Sequence, residues 1–476
     1  MKVMLVSAEV DPFAKVGGLA DVAGSLPKAL AELGLDIRVI MPKYRVAAER
    51  AGRLERVLQA VPVAMPTYES GCALDMSYLP DSKVPVYFIE HNDYFDRAGI
   101  YGPPGAAYPD NAQRLSFFCR AALAAVEALD FEPDVIHLND WHTSLIAAYC
   151  NLRRLPYATV FTVHNLGDGY QGTFPRSYLD VVGLDLGDPR VSRAMANGQI
   201  NLARAGLVFA DMINTVSRRY AEELRDTATG GAISELIIER GEDVWGIING
   251  IDYGLWSPRN DTRIVAPYDA EHLEGKAACK ADLQAEFGLP QDPDLPLLGM
   301  VTRLDAQKGL DLVAEILDES DDFQLALLGT GDPQLEASFS QAAEKRPDIG
   351  ARLEFSNTLA RKVYAGADMF LMPSRYEPCG LGQMIALAYG TVPIVRRTGG
   401  LADTIHATGS KPNGFDFEDY STEALTAVID RALRAYADPK RWRKLIANAF
   451  ASDYSWTASA KRYQKLYQAA IAKAAT

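Results

Sequence analysis

The stretch AKVGGLADV, residues 14–22, comes shortly after an apolar run at residues 3–6 and decides how the chain begins to fold. Over residues 19–33, apolar side chains recur mostly at intervals of three and four, and Gly34 interrupts the pattern, which predicts a helix. The β-rich run at 36–41 predicts a second strand. The start of the chain therefore predicts one β-loop-α-β unit, with a glycine pair in its loop.

The same alternation of short apolar runs and helix-like segments continues along the chain. These runs are apolar almost throughout, as expected for parallel strands that helices cover on both faces. The candidate strands are 134–139, 159–164, 212–217, 297–302, 324–329, 369–374 and 392–397. The predicted fold class is α/β with doubly wound parallel sheets.

With 476 residues, of which 48% are hydrophobic, the chain is long enough for two or three domains. A Gly-, Asn- and Pro-rich stretch at 246–261 predicts a domain boundary. We expect two Rossmann-like domains, 1–248 and 249–455. Beyond Thr422 the pattern is helical, and we expect residues 456–476 to form a C-terminal helix that packs back on the N-terminal domain.

The charge balance excludes several classes of partner. The chain has 48 basic and 62 acidic residues, a formal net charge of −14, which should repel nucleic acid and anionic lipid. No apolar run approaches the roughly 18 residues of a membrane helix, and no export signal is visible, so we expect a cytoplasmic protein. The five cysteines form no CxxC pair and are expected to be thiols.

Three loops that follow apolar runs carry the residues of a candidate anion site. In the first loop, Gly17 and Gly18 stand where a helix start can offer amide donors to an anion, and Lys15 adds a charge. The pattern is neither GxGxxG nor GxxxxGK[ST], so it predicts neither a dinucleotide site nor a P-loop. The alternative is a purely structural turn.

The second loop, TRLDAQKGLDL at 302–312, presents Arg303 and Lys308 before the next predicted helix. Two cations on one loop suit a diphosphate. The alternative is a solvated loop that ends in a turn glycine.

The third loop follows the strand at 369–374, and its Glu377 stands where ligands usually bind in open α/β sheets. The amides of Cys379, Gly380 and Leu381 could serve as donors at a helix start. Glu377 could instead be a capping or salt-bridging carboxylate. We do not expect Cys379 to be a nucleophile, because no nearby histidine could act as its base.

Histidines are scarce, yet His137, His142 and His164 cluster at two predicted strand ends, in HLNDWH and TVHNLGDGYQG. A metal site is one interpretation, but HExxH is missing, and the mixed composition favours hydrogen bonding to a polyhydroxyl ligand. A core role for any one histidine is the alternative. The DxD at Asp292 and Asp294 brackets a proline, so we do not expect a metal-held diphosphate, and cationic side chains must neutralise the phosphates.

Together these motifs resemble the bacterial glycogen synthase and plant starch synthase family, over about Met1 to Thr404. The motifs, in the family's order, are KVGGLADV, HLNDWH, TVHN with YQG, NGID, RLDAQKG and RYEPCGLGQMIALAYGTVPIVRRTGGLADT. The resemblance implies the GT-B architecture, two Rossmann-like domains with the active site in the cleft. It also implies glucose transfer from ADP-glucose to the non-reducing end of an α-1,4-glucan such as glycogen, with retention of configuration and without metal or cofactor.

The resemblance also implies roles for individual residues. It makes the N-terminal domain the acceptor side with part of the donor site, and the C-terminal domain the site of nucleotide-sugar binding. The implied catalytic residues are Asp140, His164, Arg303, Lys308 and Glu377. The implied substrate-binding residues are Lys15, Gly17, Gly18, Asp21, Asn249, Phe355, Cys379, Gly380 and Leu381.

Within these sets the resemblance implies a division of work. Lys15 and the two glycines would face the donor diphosphate, and the two cations of the second loop would neutralise the departing ADP. Glu377 would bind the sugar hydroxyls, while Asp140 and His164 would hold the glucosyl ring near its anomeric carbon, with Asn249 nearby. Phe355 stands where the family places an adenine-stacking aromatic.

One position departs from the wider fold class. Many retaining transferases of this fold carry a second glutamate eight residues after the first, and here that position is Ile385. This leaves the ribose contact unassigned. The alternatives to a glycogen synthase are a transferase for another nucleotide sugar, a non-catalytic glucan-binding or regulatory protein and, with least support, a dinucleotide oxidoreductase.

Overall fold

The computed structural model describes residues 1–103, 106–167, 169–317 and 322–476. These residues form two compact units. Unit 1 comprises Met1–Gly250 together with Trp456–Thr476, and unit 2 comprises Ile251–Ser455. Each unit has a sheet and a hydrophobic core of its own.

The main sheet of unit 1 is parallel at its centre, and β4 pairs antiparallel with both β5 and β3 at one edge. Its order is β12-β11-β7-β6-β1-β2-β5-β4-β3, and a small antiparallel sheet has the order β8-β10-β9. The strands are β1 (Lys2–Val6), β2 (Asp36–Pro42), β3 (Glu55–Ala64), β4 (Glu69–Tyr78), β5 (Pro85–Glu90), β6 (Val135–Asn139), β7 (Ala158–Val163), β8 (Thr173–Pro175), β9 (Met195–Ala196), β10 (Gln199–Asn201), β11 (Met212–Thr215) and β12 (Val244–Gly246).

The helices of unit 1 connect these strands. They are α1 (Gly18–Glu32), α2 (Arg45–Arg50), α3 (Asn92–Phe95), α4 (Asn111–Ala128), α5 (Leu145–Arg153), α6 (Leu179–Val182), α7 (Pro189–Arg193), α8 (Leu202–Phe209), α9 (Arg218–Glu223), α10 (Thr227–Gly230), α11 (Ser234–Arg240) and, at the end of the chain, α20 (Trp456–Ala474).

Unit 2 contains a parallel sheet with the order β15-β14-β13-β16-β17-β18. Its strands are β13 (Leu297–Val301), β14 (Gln324–Leu328), β15 (Ile349–Arg352), β16 (Met369–Met372), β17 (Val392–Arg396) and β18 (Phe415–Phe417). Its helices are α12 (Glu274–Glu286), α13 (Leu310–Leu317), α14 (Pro333–Lys345), α15 (Asn357–Gly366), α16 (Gly382–Ala388), α17 (Gly399–Thr404), α18 (Thr422–Tyr436) and α19 (Pro439–Phe450).

Each sheet has a point at which the direction of strand addition reverses. In unit 1 the chain adds β2 on one side of β1 and later adds β6 on the other side. In unit 2 it adds β14 on one side of β13 and later β16 on the other. The loops after such neighbouring strands diverge and leave a crevice at the carboxyl ends, where α/β proteins bind ligands. The predicted α/β class with parallel, doubly wound sheets is confirmed.

The last helix, α20, completes the core of unit 1. Tyr463 and Tyr467 are fully buried in it. The Tyr463 hydroxyl accepts a hydrogen bond from Asn214 Nδ2 at 3.0 Å, and the Tyr467 hydroxyl lies 2.9 Å from Nδ1 of His137.

The predicted placement of His137 at a strand end is therefore wrong. His137 lies in the middle of β6, fully buried, and its Nε2 is 2.7 Å from the Thr162 hydroxyl. Burial lowers the pKa of this imidazole to about 3, so the ring is neutral. His137 is a hydrogen-bonded core histidine.

Within the described ranges, no helix has both the length and the apolarity needed to cross a membrane.

Candidate active site

The glycine loop of unit 1 connects β1 to α1 and carries the predicted Lys15. The Lys15 ammonium lies 2.5 Å from Asp21 Oδ1 and 4.0 Å from Asp11 Oδ1. The loop therefore brings together a cation and two carboxylates, and burial raises the pKa of Asp21 despite the neighbouring Lys15 charge. Lys15 and Asp21, both predicted as substrate-binding, form an ion pair in this structure.

Neither glycine of this loop is required by the fold of the chain itself. Gly17 has a φ of −144°, which any residue adopts, and a Cβ built on Gly17 or Gly18 would meet no atom of the described residues within 4 Å. The space in front of the glycines is open. Helix α1 begins at Gly18; the Ala20 N–H donates to the Gly17 carbonyl at 3.2 Å, while the Gly18 and Leu19 amides lack acceptors within the helix.

The Gly17 amide, however, already has an acceptor within the chain. Val16 and Gly17 both donate their N–H groups to Oε2 of Glu9, at 2.6 and 3.1 Å, and the Tyr101 hydroxyl donates to Oε1 at 2.7 Å. The predicted use of the Gly17 amide as an anion donor would require this bond to be given up. Sequence reasoning missed Glu9, because a single acid in a loop belongs to no recognisable motif.

Asp140 directly follows β6, on the other side of the reversal point from the glycine loop. It has a φ of +56° and donates its backbone N–H to the Thr162 carbonyl at 2.9 Å. Its Oδ1 accepts the backbone N–H of His164 at 2.7 Å. Burial raises the pKa of Asp140 to about 7, and the nearby charge of Glu9 adds to the shift. Asp140 and His164, both predicted as catalytic, are in direct contact.

His164 follows β7 and joins the ends of three strands. Its Nε2 lies 3.0 Å from Oδ1 of Asn139, whose Nδ2 donates to the Val6 carbonyl at 3.1 Å. Burial lowers the pKa of His164 to about 3, so the ring is neutral and serves as a hydrogen-bonding group. The carboxyl ends of β1, β6 and β7 are thus linked by side chains of the candidate site.

His142 and Asn249 complete the residues of interest in unit 1. The His142 ring stacks on Tyr101, with centroids 4.8 Å apart at 19°, and burial lowers its pKa to about 3. Asn249 is buried, and its Oδ1 has no hydrogen-bond partner among the described residues. A buried acceptor without a partner is unfavourable unless a ligand supplies the donor.

In unit 2, the structure joins Lys308 to Glu377. Lys308 lies in a 3-10 turn after β13, and Glu377 lies in the loop after β16. The Lys308 ammonium is 2.7 Å from Oε2 of Glu377, which also accepts the Ser374 hydroxyl at 3.1 Å. The side chains of the pair are 16% and 8% exposed, so the ion pair is largely protected from solvent.

Local backbone features hold the Lys308 turn in place. The Asp305 carboxylate accepts the Gln307 amide at 3.0 Å and caps the turn. Gly309 has a φ of +70°, and a Cβ at this position would lie 2.1 Å from the Pro373 carbonyl. Here glycine is required by both conformation and space.

The segment after Glu377 is held by Gln383 and by the start of α17. The Gln383 side-chain amide donates to the carbonyls of Cys379 and Gly380, at 3.0 and 2.9 Å. The Gly400 amide donates to the Glu377 carbonyl at 3.0 Å. Leu381 is the N-cap residue of α16, so Cys379, Gly380 and Leu381 stand directly before a helix start, as predicted. All five cysteines are buried thiols that form no disulfide.

Arg303 and Phe355 are the most exposed of the predicted residues in unit 2. The Arg303 side chain is 57% exposed and pairs with Asp305 at 3.2 Å. Phe355, after β15, is 82% exposed, so its ring is open to solvent. Ile385, at the position of the missing second glutamate, is buried in α16.

The only group of His, Cys, Asp and Glu ligand atoms close enough to share a metal, among the residues that the structure describes, is Asp269, Glu271 and His272. None of these residues belongs to the predicted site. The interpretation of the histidine cluster as a metal site therefore has no support in the described residues.

Comparisons with known proteins agree with this geometry. Residues 2–239 match the family "Starch synthase catalytic domain", and residues 284–449 match "Glycosyl transferases group 1". Proteins named glycogen synthase from Syntrophotalea carbinolica and Moorella thermoacetica are 44% and 45% identical to the chain. Each alignment covers 99% of this chain, with 99% and 97% of the respective relative.

Solved structures show the same likeness. The catalytic domain of starch synthase IV from Arabidopsis thaliana, bound to ADP and acarbose, matches with a TM-score of 0.88 and 30% identity, covering 99% of both chains. Sucrose-phosphate synthase from Thermosynechococcus elongatus matches with a TM-score of 0.60 and 19% identity over 98% of both chains, which shows a shared fold. Because whole-length relatives and the family match agree, the chain belongs to the glycogen and starch synthase family of glycosyltransferases.

Proposed function

We propose that this glycosyltransferase moves glucose from ADP-glucose to the non-reducing end of an α-1,4-glucan, with retention of anomeric configuration. The relatives named glycogen synthase support glycogen as the acceptor. The related starch synthase IV structure is bound to ADP and acarbose, which supports an adenine nucleotide as the carrier of the donor sugar.

The Lys308–Glu377 pair is the observation that carries this proposal. It lies at the carboxyl ends of β13 and β16, where the order of the unit 2 sheet reverses. A lysine ammonium has three donors, and one of them is used by Glu377, so the others are available to phosphate oxygens. The carboxylate beside it is an acceptor for sugar hydroxyls. A cation and a hydroxyl acceptor in contact suit a sugar attached to a phosphate.

Further features of unit 2 support nucleotide-sugar binding there. Arg303 adds a second cation on the same loop as Lys308, and Phe355 offers an exposed aromatic face for adenine. The amides around Cys379 and Leu381 precede a helix start and would donate to the sugar and the distal phosphate.

Unit 1 supplies the acceptor side and the remaining donor contacts in this proposal. Lys15 and the space at Gly17 and Gly18 would accept the diphosphate, since no described residue lies within 4 Å of a Cβ built on either glycine. Asp140 and the neutral His164 would hold the glucosyl ring by hydrogen bonds. The unpartnered Oδ1 of Asn249 would accept a sugar hydroxyl.

The chemistry follows from these groups. The bond between the anomeric carbon and the diphosphate oxygen breaks, and a bond to the acceptor hydroxyl oxygen forms on the same face of the sugar. The acceptor's proton passes to the departing phosphate, whose growing charge the cations stabilise. Cationic side chains would do the work that a metal does elsewhere, so we expect transfer to persist in excess chelator.

The test is transfer of radiolabelled glucose from ADP-glucose and, separately, from UDP-glucose onto glycogen. We expect label from ADP-glucose in the polymer, removable by an α-1,4-specific glucosidase. Preferential use of UDP-glucose would instead favour a transferase with another donor. Affinity for glycogen without donor binding would favour a non-catalytic glucan-binding protein, and a glucosyl adduct on Asp140 or Glu377 would overturn the same-face mechanism.

The five buried thiols suit a reducing compartment, and we propose that the enzyme works in the cytoplasm. Fractionation of the source cells tests this location, with glucose transfer from ADP-glucose measured in each fraction.

A further inference from the structure

We propose that Glu9 is a positioning residue of the donor site: its carboxylate fixes the Lys15–Gly18 turn and ties that turn to Tyr101. This inference rests on the proposed glucosyl transfer. Glu9 accepts the amides of Val16 and Gly17 with Oε2 and the Tyr101 hydroxyl with Oε1. The residue is 4% exposed, and each of its two carboxylate oxygens already accepts a hydrogen bond from the chain.

Besides Glu9, the Lys15–Asp21 ion pair and a bond from the Ala20 N–H to the Gly17 carbonyl at 3.2 Å hold this turn. Gly17 is the N-cap residue of α1 and makes no side-chain capping bond, and two adjacent glycines have no Cβ to restrict the backbone. Val10 and Ala14 exchange backbone hydrogen bonds at 3.0 and 2.9 Å, which turns the chain back above Glu9. The carboxylate therefore fixes the backbone that leads into α1, close to the positive end of the helix.

Glu9 also connects the two loops on either side of the reversal point of the unit 1 sheet. Tyr101, held by Glu9, stacks on His142, which follows Asp140 by two positions. One carboxylate thus links the turn that carries Lys15 to the loop that carries Asp140. A change at Glu9 should move both loops.

The second link is electrostatic. The groups that face Glu9 are the carboxyls of Asp21 and Asp140 and the phenols of Tyr101 and Tyr44. The Glu9 charge raises the pKa of Asp140, in addition to the larger effect of burial. Removing that charge while keeping the shape should lower the pKa of Asp140.

Three variants separate position from charge. Glu9→Ala removes the acceptor, Glu9→Gln keeps an oxygen for the amides and removes the charge, and Tyr101→Phe cuts the tie to the second loop. Asp211→Asn is the matched control. Asp211 accepts the N–H and the hydroxyl of Thr159, each at 2.7 Å, in the same unit but at the amino ends of the strands.

The first measurement is hydrogen exchange of the Val16 and Gly17 amides in the full-length protein, which needs no activity. We expect Glu9→Ala to lose protection there, while Glu9→Gln and Asp211→Asn keep it. The second measurement is glucose transfer. We expect KM for ADP-glucose to rise about tenfold or more in Glu9→Ala and to stay within about threefold of wild type in Glu9→Gln. Tyr101→Phe should fall between them.

The third measurement is the pH profile of kcat/KM, in which the acidic limb should shift to lower pH in Glu9→Gln and stay in place in Asp211→Asn.

Equal losses of glucose transfer in Glu9→Ala and Glu9→Gln would overturn the proposal, because the charged group would then act on substrate directly. An effect of Glu9→Ala on amide exchange and on KM that is no larger than that of Asp211→Asn would overturn it too. If Glu9→Ala does not fold, Glu9→Gln and Tyr101→Phe still decide it. Absence of transfer by the wild-type protein would contradict the proposed function instead, while the exchange data would still report on the turn.

Discussion

At the scale of single residues, Lys308 is the group whose removal should affect chemistry most. Its ammonium is held 2.7 Å from Glu377 before any donor arrives, so it is preorganised for the departing phosphate. Losing one preorganised donor costs about 2.7–4 kcal/mol in the transition state. We expect Lys308→Ala to lower kcat by about 10² to 10³ at saturating donor, measured by glucose transfer.

Lys362→Ala is the matched control for this variant. Lys362 lies in the same unit, is 19% exposed, and pairs with Glu286 at 2.6 Å and Asp282 at 3.2 Å. We expect its kcat to stay near wild type, because this ion pair is structural. A fall of less than about fivefold for Lys308→Ala would show that its loop does not act on the phosphate.

The raised pKa of Asp140 predicts a trade between stability and function. Its pKa rises from 3.8 to about 7 on folding. The native state therefore holds a proton more tightly than the unfolded state, and stability falls as pH rises from about 4 to 7. Asp140→Asn keeps an acceptor for the His164 amide, and asparagine tolerates the positive φ of this position. We expect a variant that is more stable at neutral pH and inactive.

Urea unfolding at about pH 4.5 and about pH 8 checks this prediction. The gain in the free energy of unfolding should exceed about 1.4 kcal/mol, the value of one pKa unit, at the higher pH. It should be much smaller at the lower pH, where the wild-type carboxyl is protonated. Equal gains at both pH values would mean that the substitution acts through packing rather than through charge.

The sequence could supply the residues of the site but not their pairing. Lys308 and Glu377 were each predicted from a loop that follows an apolar run, yet they are 69 positions apart and meet because β13 and β16 are neighbours. For His137 the prediction failed in another way, because a core residue was grouped with the site. Its motif suggested a site residue, but its partners, Thr162 and Tyr467, come from distant parts of the chain.

At the scale of elements, most strands buried on both faces were predictable, but β5, whose four central residues are buried, was missed together with the more exposed strands. Each predicted apolar run forms a strand whose ends differ by one or two residues, because a continuous apolar pattern is typical of a parallel sheet between helices. The antiparallel pair β3 and β4 was missed, and most residues of β3 are exposed or half-buried. The order of strands, and so each reversal point, depends on long-range pairing that local patterns do not encode.

The sequence GGLAD begins at both Gly17 and Gly399, and the space around the two glycine pairs differs in the structure. A Cβ on Gly17 would meet no described residue within 4 Å, whereas a Cβ on Gly400 would lie 2.0 Å from the Cys379 carbonyl. We expect Gly400→Ala to displace that loop and destabilise the fold by about 1–3 kcal/mol. We expect Gly17→Ala to change stability by less than about 0.5 kcal/mol.

Activity should not follow stability in this pair. Gly17→Ala should raise KM for ADP-glucose by about tenfold or more, since its Cβ occupies space that we assign to the diphosphate. Thermal unfolding and transfer kinetics of the two variants check the contrast. Wild-type kinetics in Gly17→Ala would remove the glycine turn from the donor site, and an unchanged melting temperature in Gly400→Ala would show that the loop relaxes at no cost.

At the scale of the whole molecule, the two units differ in how the chain builds them. Unit 2 is one continuous segment, Ile251–Ser455, while unit 1 needs both Met1–Gly250 and the distant Trp456–Thr476. A Cβ on Gly250 would lie 2.6 Å from Cα of Trp456, so the two parts of unit 1 approach closely where the chain returns. Unit 1 cannot be complete until the last helix has been made.

Deleting Trp456–Thr476 should therefore unfold unit 1 and spare unit 2. Tyr463, Leu466 and Tyr467 are fully buried, and burying one large apolar side chain is worth about 1.5–3 kcal/mol. Their combined loss is comparable with the whole stability of a typical domain, about 5–15 kcal/mol, and it also leaves His137 without the Tyr467 hydroxyl. We expect limited proteolysis to degrade residues 1–250 and leave a resistant fragment near 251–455, with transfer activity lost.

Removal of only the exposed residues 474–476 is the control and should leave both units resistant. A fully resistant deletion variant would mean that the core of unit 1 closes without this helix, and its buried tyrosines would then contribute far less than their burial indicates.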